Sequence, residues 1–204
     1  MESKRRTQTE RSTATRGALV AAARRLWSER GYADVGTPEI AAAAGVTRGA
    51  MYHQFADKAA LFLAVAEAVE GDVTARLGEH VVASGATDPA AALHAAVDGW
   101  LDACEEREVR QILLLDGPVV LGWDGFRDMA LRHGLGLTEG LLQAAIDAGQ
   151  LPPQPTRGLA HVLIGALDEA AMFMTTSADR APAREEVAGV LHRLLDGLLA
   201  RSRP

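Results

Sequence analysis
Residues 37–55 read Thr37-Pro38-Glu39-Ile40-Ala41-Ala42-Ala43-Ala44-Gly45-Val46-Thr47-Arg48-Gly49-Ala50-Met51-Tyr52-His53-Gln54-Phe55, and this stretch decides the fold. Thr37 reads as an N-cap, Pro38 as the first helical residue and Glu39 as an acid near the positive helix end, which predicts a short helix to about Ala44. Gly45-Val46 then turns the chain, and glycine takes the positive φ that a sharp turn needs. Thr47 caps a second short helix from Arg48 to about Phe55. Ala41 is small where the two helices press together, while Ile40, Val46, Met51 and Phe55 supply an apolar wedge. At these spacings the features together predict a helix-turn-helix.

The flanks extend the unit. Leu19, Ala22, Ala23, Leu26 and Trp27 recur at helical spacing between Glu10 and Arg30, and Gly31 follows as a stop. Downstream, Asp57 caps a longer helix through Leu61, Leu63, Val65, Val69, Val73, Leu77 and Val81. Met1 to about Thr9 is polar and basic without an apolar period and reads as a mobile arm. Arg5, Arg6 and Arg11 can enter a minor groove, although a solvated tail explains them more simply.

Composition agrees with a helical chain. The 204 residues are 48% hydrophobic, 24% charged and 4% aromatic, which predicts one or two small all-α domains. Cys104, the single cysteine, cannot form an intrachain disulfide. No stretch approaches the roughly 18 uninterrupted apolar residues of a membrane helix. Six apolar residues, Ala18 to Ala23, are too few for a signal sequence, so a cytoplasmic location without membrane partners is expected. Residues 1–58 carry ten basic against six acidic residues, and the remaining 146 carry eleven against 21. A basic N-terminal part suits a polyanion, and the acidic remainder is better placed away from one.

Beyond the first four helices, Ser84 to Pro89 reads as a loop and Gly117-Pro118 as a break. Leu151 to Pro155 holds three prolines, and Asp179 to Pro182 divides the last two helices. Helices are therefore expected at about 88–106, 107–116, 124–149, 156–177 and 182–201. The organisation predicted is a basic arm over 1–9, a three-helix helix-turn-helix domain over 10–58 and a larger helical domain over 59–204.

With the first helix and Asp57-Lys58, the helix-turn-helix resembles the DNA-binding domain of the TetR family of bacterial regulators over about residues 12–65. Met51 and Phe55 are four apart and face the core, which leaves Arg48, Gly49, Ala50, Tyr52, His53 and Gln54 as candidates for DNA. Arg48 can place a bidentate fork on guanine, and Gly49 and Ala50 allow close approach to the groove. The resemblance implies phosphate contacts from Thr47, Tyr52 and Lys58 and groove contacts from Arg48, Gly49, Ala50 and His53. Gln54 departs from the bulkier residue often found there. Each has a plainer reading: Thr47 as a cap, Tyr52 as a packed ring, Lys58 as a solvated charge.

Family layout implies a C-terminal ligand-binding and dimerisation domain. Candidates for lining a pocket are Trp100, Cys104, Leu115, Trp123, Phe126, Arg127, His133, Met172 and Phe173, with plain core packing as the alternative. Leu159, Val162, Leu163, Leu167, Val190, Leu191, Leu194, Leu195 and Leu198 form apolar ridges on the last two helices, suited either to a second copy or to an intrachain bundle. The glycines of His133 to Gly140 lack the strand that a nucleotide loop requires. The histidines and Cys104 lack zinc spacing, and Asp168-Glu169 point about 100° apart on a helix, which suits a buried polar contact or a solvated face better than paired acid-base chemistry. No cofactor is expected. The sequence thus predicts a non-enzymatic, homodimeric repressor that binds a palindromic operator in double-stranded DNA and is released by a small molecule. A protein-interaction module and a small helical enzyme are the alternatives.

Overall fold
A computed structural model describes residues 8–199, and among these every regular element is helical. The predicted arm falls largely outside that range, as do Arg5 and Arg6. Gln8 and Thr9 already belong to α1, Gln8–Arg30, which therefore begins two residues before the expected start at Glu10. Its buried residues are Leu19, Ala22, Ala23, Leu26 and Trp27, the set that the sequence period singles out. Gly31 ends it with φ +80° and donates its N–H to the Trp27 carbonyl at 2.8 Å.

Helix α2, Thr37–Ala43, and α3, Arg48–Gln54, follow, with Gly45 at φ +67° between them. The start of α2 differs from expectation. Gly36 occupies the N-cap, Thr37 is already helical and its hydroxyl makes no capping bond. Thr37 instead meets Tyr52, as described below. Both other predicted caps form: Ala50 N–H donates to Thr47 Oγ1 at 3.1 Å and Ala60 N–H to Asp57 Oδ1 at 2.7 Å.

The long helix α4, Lys58–Ala83, is shared by both halves of the molecule. Its first turns pack Phe62 against Trp27 and Tyr32 of the N-terminal unit, with ring centroids 5.2–5.5 Å apart. Its later turns lie against α5, Pro89–Glu105, and α7, Gly117–Asp147. A short α6, Arg107–Val109, runs directly into a π-helical segment, Arg110–Asp116, and this leads without a gap into α7.

The expected break at Gly117-Pro118 is therefore absent. Proline is compatible with a first helical turn, where no N–H is needed. Gly117 is there for space: a Cβ on it would lie 3.2 Å from the Phe126 ring and 3.4 Å from the Ile112 carbonyl. The interruption comes at Gly122, with φ +69° and ψ 167°, inside α7. Helices α8, Thr156–Thr176, and α9, Arg180–Leu199, complete the bundle. Among the described residues α8 alone is long and apolar enough to cross a membrane. It packs against α7 and α9 and carries the buried Asp168.

Polar contacts tie the two halves together. Arg24 of α1 grips Glu108 with Nε and Nη2 at 2.8 and 2.6 Å, and Asp72 with Nη1 at 2.5 Å. Arg107 donates to the Glu29 carbonyl. Asp116 accepts from the Tyr32 N–H at 2.8 Å and from Gln111 at 3.1 Å. The C-terminal end of α1 is thus held directly by α6 and the π segment.

Candidate nucleic-acid interface and ligand cavity
The helix-turn-helix buries Ile40, Ala41, Met51 and Phe55, as the predicted wedge requires, and Val46 is partly buried against them. What remains outside is one continuous face. Thr47, Arg48, Gly49, Tyr52 and His53 are all exposed, and Ala50 is half-buried. A Cβ on Gly49 would meet only the Thr47 hydroxyl, at 3.9 Å, so packing within the chain does not demand glycine there.

Tyr52 joins the two short helices. Its hydroxyl lies 3.2 Å from Thr37 Oγ1, and the Arg48 guanidinium sits 5.6 Å from its ring. The hydrogen bond to Thr37 and then the contact with Arg48 hold the phenol below the ordinary tyrosine pKa. This aligns the N-terminus of α2, Tyr52 and Arg48 along one edge. Thr37 was read from sequence only as a cap, yet it belongs to this edge. A hydroxyl at a helix start is the signal that marks it, and only the fold supplies the partner fifteen residues away.

Two predicted contacts point elsewhere. Gln54 Nε2 donates to Ser12 Oγ at 2.9 Å, and its backbone carbonyl accepts from Arg16 at 3.3 Å, so Gln54 faces α1. Lys58 Nζ donates to the Tyr32 carbonyl at 2.5 Å and lies 3.9 Å from that residue's ring centroid. Burial lowers its pKa, opposed by Asp116 and Asp34. Both residues are engaged in holding the domain rather than projecting from it.

The acidic half encloses a cavity of about 100 Å³ between α4, α5, α7, α8 and α9. Its walls are apolar, with Leu93, Val97, Trp100, Leu141, Leu167 and Leu195 prominent, and its polar groups are Glu70, Thr74, Thr138 and Asp168. Trp100 donates its indole N–H to the Leu167 carbonyl at 3.3 Å. Asp168 is buried and accepts from Arg127 Nη1 at 3.0 Å, while Nη2 of the same guanidinium reaches the His161 carbonyl at 2.8 Å. Burial pushes the Asp168 carboxyl up to about 6 against the pull of Arg127. The adjacent Glu169 is exposed, so the two carboxylates do not converge.

Most of the predicted lining lies elsewhere. Trp100 lines the cavity and Arg127 reaches it through Asp168. Cys104 is buried, with its thiol pushed well up by burial, and Phe126 packs on Gly117; neither lines the cavity. His133 and Met172 are half-buried outside the lining, His133 beside Gly71 of α4. Leu115, Trp123 and Phe173 are exposed, Trp123 at 66%. Leu115 lies in the π segment, which shifts the helical phase, and Trp123 follows the positive φ of Gly122. The carboxylate of Glu70 was missed because a glutamate in a long amphipathic helix reads as solvated surface.

The ridges of α8 and α9 divide in the same way. Leu163, Leu167, Leu191 and Leu195 line the cavity instead of an outer face, and Leu159 and Leu198 are half-buried. Val162 at 67% and Val190 at 43% face outward. Leu194, 53% exposed, both lines the cavity and reaches the surface. Each helix has apolar residues on more than one side, and spacing alone does not say which side meets the core.

Comparison with known proteins matches both halves. Residues 19–65 fit the model described as bacterial regulatory proteins, tetR family, and residues 90–198 fit a tetracyclin repressor-like C-terminal domain. A crystal structure of a TetR-family transcriptional regulator from Pectobacterium atrosepticum is 32% identical, with a TM-score of 0.83, covering 95% of this chain and 98% of that one. The transcriptional regulator AcrR of Shigella flexneri is 30% identical over 194 residues, 89% of each chain. The regulator CymR of Pseudomonas putida is 45% identical over 76 residues, and the match spans only 37% of each chain. On two family models and full-length relatives, the chain belongs to the TetR family of bacterial transcriptional regulators.

Proposed function
We propose that this regulator is a homodimeric repressor that holds a palindromic operator through residues 47–58 of each copy and leaves it when a small molecule fills the C-terminal cavity. The exposed face formed by Thr47, Arg48, Gly49, Tyr52 and His53 carries the reading. Arg48 opens α3, where a guanidinium can reach guanine O6 and N7 in the major groove. Thr47 and Tyr52 flank it with hydroxyl groups suited to phosphate oxygens. In this reading Lys58 contributes only after leaving the Tyr32 carbonyl, and Gln54 acts by fixing α3 on α1.

One short recognition helix reads few bases, and a two-fold dimer doubles them on a palindrome. The exposed residues Val162, Phe173, Val190 and Leu194 of α8 and α9 support pairing into a four-helix interface. Release follows if the effector prefers a conformer whose recognition helices are wrongly spaced for successive major grooves. A shift from 1:99 to 99:1 needs a preference of about 5.5 kcal/mol. Helix α4 borders the cavity and also packs on α1, whose Arg24 is tied to Asp72 of α4 and Glu108 of α6, so a cavity event has a physical route to the DNA face.

Fluorescence anisotropy on labelled duplex DNA across a salt series tests the reading. Binding should weaken with salt at a logarithmic slope of about 0.9 per phosphate neutralised. A folded chain that shows no affinity for duplex DNA at low salt sinks it.

A further inference from the structure
The C-terminal cavity contains a carboxylate that nothing among the described residues satisfies. Glu70 is 6% exposed and lines the apolar cavity, and among the described residues it has neither a hydrogen-bond donor nor a cationic partner. Asp168, the other acid in the wall, is paired with Arg127. Buried polar groups in folded proteins nearly always have partners, and a lone buried carboxyl is costly. A group that stays unsatisfied and faces a cavity is a position where a ligand supplies the missing half of the contact.

We infer that the effector is a small molecule with an apolar body and a hydrogen-bond-donating end, hydroxyl or ammonium, that meets Glu70, and that molecules ending in an anion bind more weakly. The inference rests on the reading of this cavity as the effector site. The polar wall is dominated by acceptors: the Glu70 carboxylate, the Asp168 carboxylate and the Thr138 hydroxyl oxygen, whose proton is already given to the Gly134 carbonyl at 3.0 Å, with the Thr74 hydroxyl as the one group that can also donate. Arg127, the cation paired with the wall acid Asp168, is committed to that carboxylate and to the His161 carbonyl. Above the pKa of Glu70 an incoming carboxylate would face two acids, with only the neutral Thr74 hydroxyl to donate to it.

Size narrows the class further. A cavity of about 100 Å³ is somewhat below the ~150 Å³ that holds one benzene molecule in a dry protein cavity. It reaches the surface at Leu194, so one ring with a short polar arm fits only with part of it in that mouth, and a long acyl chain is too large.

The charged and titratable groups around Glu70 set how pH enters. Asp168 and Arg127 stand across the cavity on α8 and α7, Cys104 lies on α5, and His133 of α7 lies beside the next residue of α4, Gly71. Burial and then Asp168 push Glu70 up to about 7. An ammonium ligand binds the ionised carboxylate and gains affinity as pH rises through that value. A hydroxyl ligand accepts either form and shows little such gain.

Three probes with one ring and one short arm test this on the full chain: benzyl alcohol, benzylamine and benzoate, followed by calorimetry and thermal shift. We expect at least one of the first two to bind and benzoate to bind more weakly. Affinity that rises with pH for benzylamine identifies the ammonium form, and pH-independent binding of benzyl alcohol identifies the hydroxyl form. Glu70→Leu should weaken the bound donor about tenfold or more, the loss of one hydrogen bond to a charged acceptor. Glu70→Met serves if the leucine variant does not fold. Three results overturn the inference: benzoate binding as tightly as the donors, donor affinity unchanged in the apolar variant, or a folded wild-type chain that binds none of the three, which would leave Glu70 solvated by water alone. DNA binding measured in parallel separates the two claims. Benzoate that binds as tightly as the donors and releases DNA would defeat the ligand class and leave the effector site standing, whereas donor binding without release would do the reverse.

Discussion

The helix-turn-helix and the cavity are built by opposite rules. The first is made from nineteen consecutive residues whose caps, turn and wedge lie within a few positions of one another. The second takes its wall from five helices, and its polar pair, Glu70 and Asp168, is separated by nearly a hundred residues. A local motif fixes which side chains face out, because the wedge residues must face in. A cavity depends on how distant helices rotate against each other, and no spacing rule sets that.

That difference can be sharpened first at the cavity, where the largest effect is expected. Burial raises Glu70 from an ordinary 4.5 to about 7, so the folded chain holds this proton more tightly than the unfolded chain. Between those values the unfolded state ionises first, and stability from this group is full below about 4.5 and lost as pH rises through about 7. Glu70→Gln should therefore stabilise the protein by as much as about 3 kcal/mol in mild base, with the gain vanishing in acid. Urea unfolding across pH checks it, and a pH-independent difference would mean that Glu70 is solvated.

At the DNA face, Arg48→Ala should cost about 1–3 kcal/mol of discrimination at one base position in each half-site and leave the fold intact, because Arg48 is exposed and its guanidinium lies over the ring of the equally exposed Tyr52. Comparing affinity for single-base operator variants measures this. Equal losses on all sequences would make Arg48 a phosphate contact instead.

Thr47→Ala should reduce stability by about 1 kcal/mol through loss of the bond from the Ala50 N–H. Chemical denaturation reads that loss, while Thr47→Ser should retain most of it. If stability is unchanged but DNA affinity falls, the hydroxyl serves phosphate more than the helix.

The smallest effect on DNA is expected at Lys58, whose ammonium is held by the Tyr32 carbonyl and ring. Lys58→Ala should lower the salt slope by less than the ~0.9 of a full phosphate contact. A full drop would show that Lys58 swings out to DNA.

The same contrast explains what could be read from sequence. Every buried residue of α1 and the wedge of the helix-turn-helix followed from spacing, as did the caps at Thr47 and Asp57 and the turn at Gly45. Thr37 failed as a cap because Gly36 takes that place and the hydroxyl turns to Tyr52. Gly117-Pro118 failed as a break because the pair can also open a helix, and the close approach of Phe126 that requires this glycine is a tertiary fact. Of nine predicted lining residues, Trp100 alone touches the cavity directly, since bulk and aromaticity mark a residue as apolar without saying which helix face it occupies. Leu191 and Leu195, ridge residues suited by spacing either to a second copy or to an intrachain bundle, lie inside, and spacing could not choose between the two.

The most direct measurement is selection of bound sequences from a random duplex pool by the full-length protein, with Arg48→Ala run beside it. A two-fold palindrome with half-sites about 10 base pairs apart or a multiple of that is expected for the wild type, with one position in each half relaxed in the variant. Enrichment of no site by a folded chain, or the same site at the same stringency for both proteins, would contradict the assignment of this face to operator reading.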